Sequence, residues 1–545
     1  MRFSFPIWCG FESSQNEFIL PPSSALVKKA ALTCAFLLLF FTFTFNANAA
    51  NYTVNTLADN ESNGCVFGNC TLREAVSAAN LSLGADSIIF SVTGTITLQN
   101  GHLPISSSMT ITGAGARSLS VNGNNVGRVF LVSGSGTIAN INNLTITNGN
   151  AQPILIGTTL VGDGGGILNT QGATLNLSEV HVNGNSATSH GGGIATVAVL
   201  PLTATTTTKV ARSAIFDNSA IAGGGGVSSI GVDVLGTGLL SSADTEFTNS
   251  TITQNSATAE GGGISNIGGN TYLTNNTISH NQSTIAGGGI ANVSGLLIGS
   301  IYMRNNILAQ NNALIGLNLV GSDGFGIFSS LGNNLIGNNF DVIASFPSSL
   351  LNIGQPQPNL NNDLVGSLDI GLQTINPLLT VLGNNGGTTD TRAISSNSLA
   401  FNRGNNCVVA GSCFSKLADG NFLDPLPTDQ RGTGFPRNTF STVDMGAYES
   451  QLAPTAANVS VGGRVSDSFD RIVTNARVVV TNQNGISRTA FVNSFGFYHF
   501  DDIPAGETYV FQVIHRKLSF APQVIGITEN VSDLNFTNNR EAFKR

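Results

Sequence analysis

Hydrolysis of a glycosidic bond usually takes two carboxylates facing one bond, so the acids are the first place to look for chemistry. Between Ala151 and Phe340 they are Asp163, Glu179, Asp217, Asp233, Asp244, Glu246, Glu260 and Asp323. None recurs at a fixed register as a stacked pair. Asp244 and Glu246 can share one strand face, because side chains alternate along a strand. They follow a Gly/Ser stretch, which favours a solvated role over a catalytic one. A lyase would place a basic residue beside acids. Lys209, Arg212 and Arg304 are the only basic residues in this span, and Arg212 near Asp217 is the nearest such pair. His181 is expected to point outward, and His190 and His280 to sit in turns. The densest charged set is Asp429, Arg431, Asp444 and Glu449. Ion pairing that locks the local structure is the favoured reading for it. No catalytic, cofactor-binding or metal-ligating residue is assigned, and no cofactor is expected.

The elements that would carry these groups are set by a repeat. Glycine triplets followed by an aliphatic residue occur at Gly164–Ile167, Gly191–Ile194, Gly224–Val227, Gly261–Ile264 and Gly287–Ile290. Six residues before the last four triplets stands an asparagine: Asn185, Asn218, Asn255 and Asn281. Three residues earlier again are Val182, Ile215, Ile252 and Ile278, and two residues after the asparagines are Ala187, Ala220, Ala257 and Ser283. The aliphatic residues that close the triplets are 27, 33, 37 and 26 residues apart. The segments between alternate as strands do, for example Ser250-Thr251-Ile252-Thr253. Triple glycine is incompatible with a helix interior, where each Gly costs about 0.5–1 kcal/mol relative to Ala. The pattern predicts an all-β, right-handed parallel β-helix, with coils stacked about 4.8 Å apart. Aliphatic side chains stack inside, and Asn185, Asn218, Asn255 and Asn281 form an amide ladder. The uneven spacing is expected to come from loops leaving the coil at one place, with Pro201 to Lys209 as an example.

Composition bounds the setting. Charged residues are 10% of the chain against ~25% in ordinary soluble proteins. The repeat region has no basic patch for nucleic acid. Lys28-Lys29, an apolar run from Ala30 to Phe45 and Ala47-Asn48-Ala49 read as an export signal cleaved between Ala49 and Ala50. Its removal takes away Arg2, Lys28, Lys29, Glu12 and Glu17 and moves the net charge from −8 to −9. No transmembrane span is expected in the mature chain. Cys65 with Cys70, and Cys407 with Cys413, are expected as disulfides, since an exported chain favours oxidised local pairs.

Thr71 and Glu74 have capping-box spacing ahead of Leu72, Ala75, Val76 and Ala79, which predicts a helix covering the N-terminal end of the β-helix. Cys70-Thr71-Leu72-Arg73-Glu74-Ala75, with Asp86-Ser87-Ile88-Ile89-Phe90, resembles the N-terminal module of CSLREA-domain proteins. The glycine repeats resemble polymorphic outer-membrane protein repeats, although the third small residue here is Gly. Leu382 to Thr388, Thr428 to Gly432 and Asp444 to Glu449 resemble the closing module of choice-of-anchor β-helix proteins. Ser398 to Gly404 departs from that module's pattern. Gly463-Arg464-Val465, Asn475 to Val478, Phe495 to Phe500 and Ile503 to Gly506 resemble carboxypeptidase regulatory-like domains, which implies a non-catalytic, prealbumin-like sandwich.

The expected organisation is a signal peptide over 1–49, with a true start near Val27, then a β-helix over 50–450. Within it, 50–115 forms the cap, 140–330 the glycine repeats and 375–450 the closing coils. A linker at 451–458 leads to a β-sandwich at 459–539. The expected role is a secreted or cell-surface structural or adhesive module that binds carbohydrate or another surface without catalysis. The alternative is a polysaccharide lyase or glycoside hydrolase of the β-helix type.

Overall fold

The computed structural model describes residues 49–538, apart from 62–63, 66–67, 157–158, 200–204, 234–239, 294–298, 316–317, 321, 349–356, 368–373, 414–423, 441, 452–457, 470, 483–484, 506 and 528–529. The described residues belong to one compact unit, Ala49–Arg545. The expected signal sequence lies outside them except at Ala49, and most of the expected linker also lies outside.

One repeat shows the path of the chain. Thr174–Ser178 lies in sheet I, His181–Asn183 in sheet II and Ser186–Ala187 in a narrow sheet IV. The chain turns through Gly191–Gly193, enters sheet III at Ile194–Val197, and returns to sheet I at Thr206–Ala211. Each strand pairs in parallel with its equivalent one coil on. Among the described residues, sheets I and II have ten strands each, sheet III eight and sheet IV seven, the seventh being the antiparallel hairpin strand Asn318–Val320. The architecture is a right-handed parallel β-helix, the hand that parallel crossovers take.

Residue equivalence in the repeat becomes vertical stacking. Phe130, Ile167, Ile194, Val227, Ile264 and Ile290 are in register in sheet III and fully buried. Val182, Ile215, Ile252 and Ile278 do the same in sheet II. Each such side chain contributes about 1.5–3 kcal/mol on burial. The glycine triplets answer separate demands. The first glycine has positive φ, +65° at Gly191. A Cβ on the second, Gly192, would strike the carbonyl oxygens of Ser219 and Gly225. A Cβ on the third, Gly193, would lie 2.7 Å from Gly226 O.

The helix Leu72–Leu81 has the expected capping box: Thr71 Oγ1 accepts from Glu74 N, and Glu74 accepts from Thr71 N at 3.0 Å. It packs against the strands Asn51–Val54, Asp86–Phe90 and Leu103–Ile105, the first strands of sheets I and III. A four-residue helix, Cys407–Ala410, has no counterpart in the sequence reading.

Two expectations about the solenoid need correction. Loops leave the coil at two corners, not one. The hairpins Ile154–Ile156 with Thr159–Val161 and Asn312–Ile315 with Asn318–Val320 stand between sheets IV and III. Val232–Asp233 with Leu240–Ser241 stands between sheets III and I. Lys209 is not in an excursion but in the strand Thr206–Ala211.

The second correction concerns 375–450, which adds no strand to the long sheets among the described residues. The last strand of sheet II is Leu364–Val365. The segment then runs back as a strap over the outer face of sheet II. Gly446 N donates to Asn305 O at 2.7 Å and Ala447 N to Thr277 Oγ1 at 3.0 Å. Thr251 Oγ1 donates to Gln430 Oε1, Arg392 Nε to Thr253 Oγ1 and Asp390 N to His181 Nε2. Arg117 pairs with Asp390 at 2.6 Å. The physical reason is apolar: Ile307, Ala309, Leu335 and Leu364 would face water without cover, and they bury against Ile394, Ala400 and Met445 of the strap.

Beyond 457 the strands Asn458–Ser466, Phe497–Pro504 and Phe536–Thr537 form one sheet. Arg477–Thr481, Ser487–Phe491, Glu507–Ile514 and Gln523–Ile527 form another. A separate core lies between them, with Val461, Val478, Phe500, Phe511 and Phe536 at its centre. Gln523–Ile527 was not read as a strand from the sequence.

Candidate functional site

The charged set of the strap is sealed rather than open. Arg431 pairs with Asp429 at 2.6 Å, its guanidinium lying 4.0 Å from the Phe435 ring centre and 3.8 Å from that of Tyr448. Arg437 reaches Glu449 at 3.7 Å and donates to Asn249 Oδ1 at 2.8 Å. Glu449 Oε2 accepts from Asp444 N at 2.9 Å. Burial, with Asp444 nearby, pushes the Glu449 carboxyl up to about 8, and burial pushes Asp444 up to about 6. These side chains have almost no contact with solvent, so they tie the strap to itself and to sheet II and offer no path for a substrate.

The histidines also have structural surroundings. His181 points outward from sheet II, as expected, but it does not reach solvent. The strap covers it, and burial with Arg117 nearby pushes it down to about 4. His280 is an exposed turn residue with φ +57°, its imidazole lowered by partial desolvation and by Arg392. At His190, Nδ1 is 2.8 Å from Ser189 Oγ and 3.2 Å from Asp163 Oδ1. Ser–His–Asp catalysis needs the serine and the acid on opposite ring nitrogens. Here both share one, so no relay exists. Burial pushes the Asp163 carboxyl up, but hydrogen bonds from His190 and Ser189 outweigh it and hold it below its usual value.

The lyase pair suggested by sequence does not form. Arg212 binds Glu179 Oε1 at 3.1 Å and Ser178 Oγ at 2.9 Å. Asp217 is exposed, its carboxyl raised by partial desolvation, and its charged neighbour is Arg392. Asp233 lies in the 232–241 hairpin, and Glu260 bridges Ala286 at the glycine turn. Among the described residues, no three His, Cys, Asp or Glu side chains converge as a metal-binding set.

The asparagines make the ladder in detail. Asn185 Nδ2 donates to Asn218 Oδ1, Asn218 Nδ2 to Asn255 Oδ1, and Asn255 Nδ2 to Asn281 Oδ1, each at 2.9 Å. Asn281 continues to Asn311 at 2.9 Å, and Asn311 to Asp323 Oδ1 at 3.0 Å. A carboxylate suits the last place, because the last member of the row accepts and has no further amide to supply. A second ladder at the I–II turn was not read from the sequence: Ser250 to Asn276, Asn306, Asn334 and finally Asp363. Its signal was available in the doublets Asn275-Asn276, Asn305-Asn306 and Asn333-Asn334. The first member of each takes positive φ, 57°, 54° and 60°, which Asn tolerates, and the second joins the ladder.

With sheet II covered, the outer face of sheet I is one long parallel surface that carries functional groups, and sheet IV offers a narrower one lined by Ser186, Ser219, Ser256 and Gln282. One row runs Asn140, Asn176, Lys209, Glu246, Tyr272, Tyr302 in successive coils. It spans about 24 Å at ~4.8 Å per coil. Asn176 Nδ2 donates to Asn140 Oδ1 at 2.9 Å, and Lys209 lies 3.6 Å from Glu246. Tyr272 and Tyr302 stack with ring centres 5.1 Å apart and planes 5° from parallel. Asp244 does share a strand face with Glu246, and its Oδ1 accepts from Asn270 Nδ2 at 3.0 Å. Both cysteine pairs are bonded, Cys65–Cys70 and Cys407–Cys413.

These observations define the class: a parallel β-helix protein with a strapped flank and a terminal sandwich. No family model matches the chain, and no curated protein matches it. Among solved structures, the crystal structure of pectate lyase Pel9A is similar at a TM-score of 0.39 and 12% identity, over 74% of this chain and 97% of that one. Among the described residues no helix is long and apolar enough to cross a membrane.

Proposed function

We propose that the protein is a secreted or cell-surface structural and adhesive β-helix that binds carbohydrate on the outer face of sheet I without turning it over. The observation that carries this reading is the stacked pair Tyr272–Tyr302 in line with the amides of Asn140 and Asn176. Aromatic side chains with polar tips suit ligands that are apolar on one face and hydroxylated at the edge. Amides both donate and accept, as sugar hydroxyls do. The sealed strap cluster and the unmade Arg212–Asp217 pair argue against turnover. The resemblances to CSLREA, choice-of-anchor and carboxypeptidase regulatory-like modules support export and surface display. Calorimetric titration of the mature protein against neutral glycans tests the reading. The double variant Tyr272→Ala with Tyr302→Ala should weaken binding about tenfold; unchanged affinity rejects the site.

A second reading has one observation in its favour. Asp244 and Glu246 share a face beside Lys209, which puts two carboxylates and an ammonium within reach of one bond. Release of oligosaccharide products, abolished by Glu246→Gln, would establish it over the adhesive role.

A further inference from the structure

The cations of the β-helix are largely engaged by carboxylates: Arg73 by Asp59, Arg117 by Asp390, Lys209 by Glu246, Arg212 by Glu179 and Arg431 by Asp429. The terminal sandwich differs at one end, where an open cleft of about 1290 Å³ lies among Asp467, residues 471–477 and 514–518, Phe491 and Val492. Arg471, Arg477, Arg516 and Lys517 line it, against the single lining carboxylate of Asp467. Asp467 already pairs with Arg471 at 2.7 Å. Arg477, Arg516 and Lys517 are exposed and have no ion pair among the described residues. Arg516 and Lys517 sit on a turn held by His515 Nδ1, which accepts from Lys517 N and Leu518 N at 3.2 and 3.1 Å.

An aromatic surface adjoins these charges. Arg477 pairs across the sheet with Phe491 on one side and Ile514 on the other. The inward neighbours Val478, Val492 and Val513 are buried, so this row faces out. Phe491 is 79% exposed, although burying a phenylalanine is worth about 1.5–3 kcal/mol. The strand Arg477–Thr481 is paired on both edges, which closes its backbone to a peptide that adds to a sheet. Ser487–Phe491 is the edge strand of the same sheet, and its part in the cleft is the exposed side chain of Phe491.

We propose that this cleft binds an anionic polysaccharide, a chain carrying carboxylate or sulfate groups, with Phe491 against a sugar ring and Arg477, Arg516 and Lys517 on the anionic groups. Guanidinium groups pair with carboxylate and sulfate through two parallel N–H donors, and an ammonium does so as a point charge. The site is separate from the face of sheet I and does not depend on that reading.

The test uses the whole mature chain, with alginate as the carboxylate probe, dextran sulfate as the sulfate probe and plain dextran as the neutral control. Either or both polyanions should bind, plain dextran should not bind at the cleft, and affinity should fall as salt screens the charges. The triple variant Arg477→Ala, Arg516→Ala, Lys517→Ala should lose about tenfold or more in affinity and most of the salt dependence. Phe491→Ala should weaken binding while leaving the salt dependence intact. Should the triple variant unfold, Arg516→Glu, a single exposed change, gives the same readout. The pair Tyr272→Ala with Tyr302→Ala should leave polyanion binding unchanged, which separates this cleft from the face of sheet I. The proposal is overturned if neither polyanion binds, if the cleft variants bind as the parent does, or if poly-glutamate or anionic phospholipid vesicles bind more tightly than both polysaccharides.

Discussion

Replacing Asn255 by alanine tests whether the amide ladder stabilises the coils or merely fits them. Asn255 Nδ2 donates to Asn281 Oδ1, Ile215 O and Thr253 O at 2.9–3.0 Å. Its Oδ1 accepts from Asn218 N at 3.0 Å and from Asn218 Nδ2 at 2.9 Å. After substitution Asn218 Nδ2 retains the carbonyls of Val182 and Phe216. The Asn218 N–H loses the side-chain oxygen that accepted from it and is buried. An orphaned buried donor costs ~1–3 kcal/mol, and each lost net hydrogen bond ~0.5–1.5 kcal/mol. The expected loss is therefore about 3–5 kcal/mol, or roughly two to four powers of ten in the unfolding equilibrium. Urea unfolding of the mature chain measures the total, and hydrogen exchange at the Asn218 amide measures the local part. A loss under about 1 kcal/mol with Asn218 protection unchanged would refute the accounting. Asn255→Asp sharpens it. The acceptor for Asn218 N–H survives, but an oxygen then faces Ile215 O, Thr253 O and Asn281 Oδ1. The variant should be badly destabilised at neutral pH and partly recover in acid, where the carboxyl regains a proton to donate.

Asp323, which ends the first ladder, is pushed up to about 7 by burial, against hydrogen bonds from Asn311 and Asn338. Its folded form holds a proton more tightly than its unfolded form, so its contribution is complete below the ordinary carboxylate range and is lost as pH rises from about 4 through about 7; Asp323→Asn should flatten that slope of stability against pH in urea titrations, by an amount on the order of 4 kcal/mol over the window. Arg437→Ala leaves Glu449 and Asp444 buried without their guanidinium and should cost about 3–5 kcal/mol, read as a lowered midpoint in thermal melts; Arg437→Ala melting as the parent does would show that the cluster carries no net stabilisation. Gly192→Ala drives a Cβ into the carbonyls of Ser219 and Gly225 and should destabilise by ~1–3 kcal/mol or more, scored by yield of folded protein and by urea midpoint. Both disulfides should be found closed in isolated protein, and thiol titration that finds four free cysteines contradicts this.

The repeat made the solenoid legible before any coordinates. Ile167, Ile194, Val227, Ile264 and Ile290 share a place in the sequence period because each must fill the same slot one coil higher. Asn185, Asn218, Asn255 and Asn281 share another because an amide can both donate and accept along a stack. The helix at Leu72–Leu81 was readable because the capping box is local. The second ladder keeps a fixed place too, five residues before the first at Ser250, Asn276 and Asn306, but it was less visible because it begins as Ser250 and only then becomes Asn276, Asn306 and Asn334, so no single residue type marks the row.

What folds against a repeat is not written in the repeat. The strap over 375–450 has little regular structure of its own, so periodicity says nothing about its course. Its position depends on the outward residues of sheet II turning apolar at Ile307, Ala309, Leu335 and Leu364, and on the buried pairing of Arg437 with Glu449 and Asn249. That placement buries His181 and takes the outer face of sheet II out of reach. Likewise the row Lys209, Glu246, Tyr272, Tyr302 draws one residue from each coil, separated by loops of unequal length, and the cleft around Arg477, Phe491 and Arg516 draws on segments far apart in the chain. Stacking order, repeated at each coil, is a property of the sequence alone; which face is covered, and which side chains from different coils meet, is decided only when the chain closes upon itself.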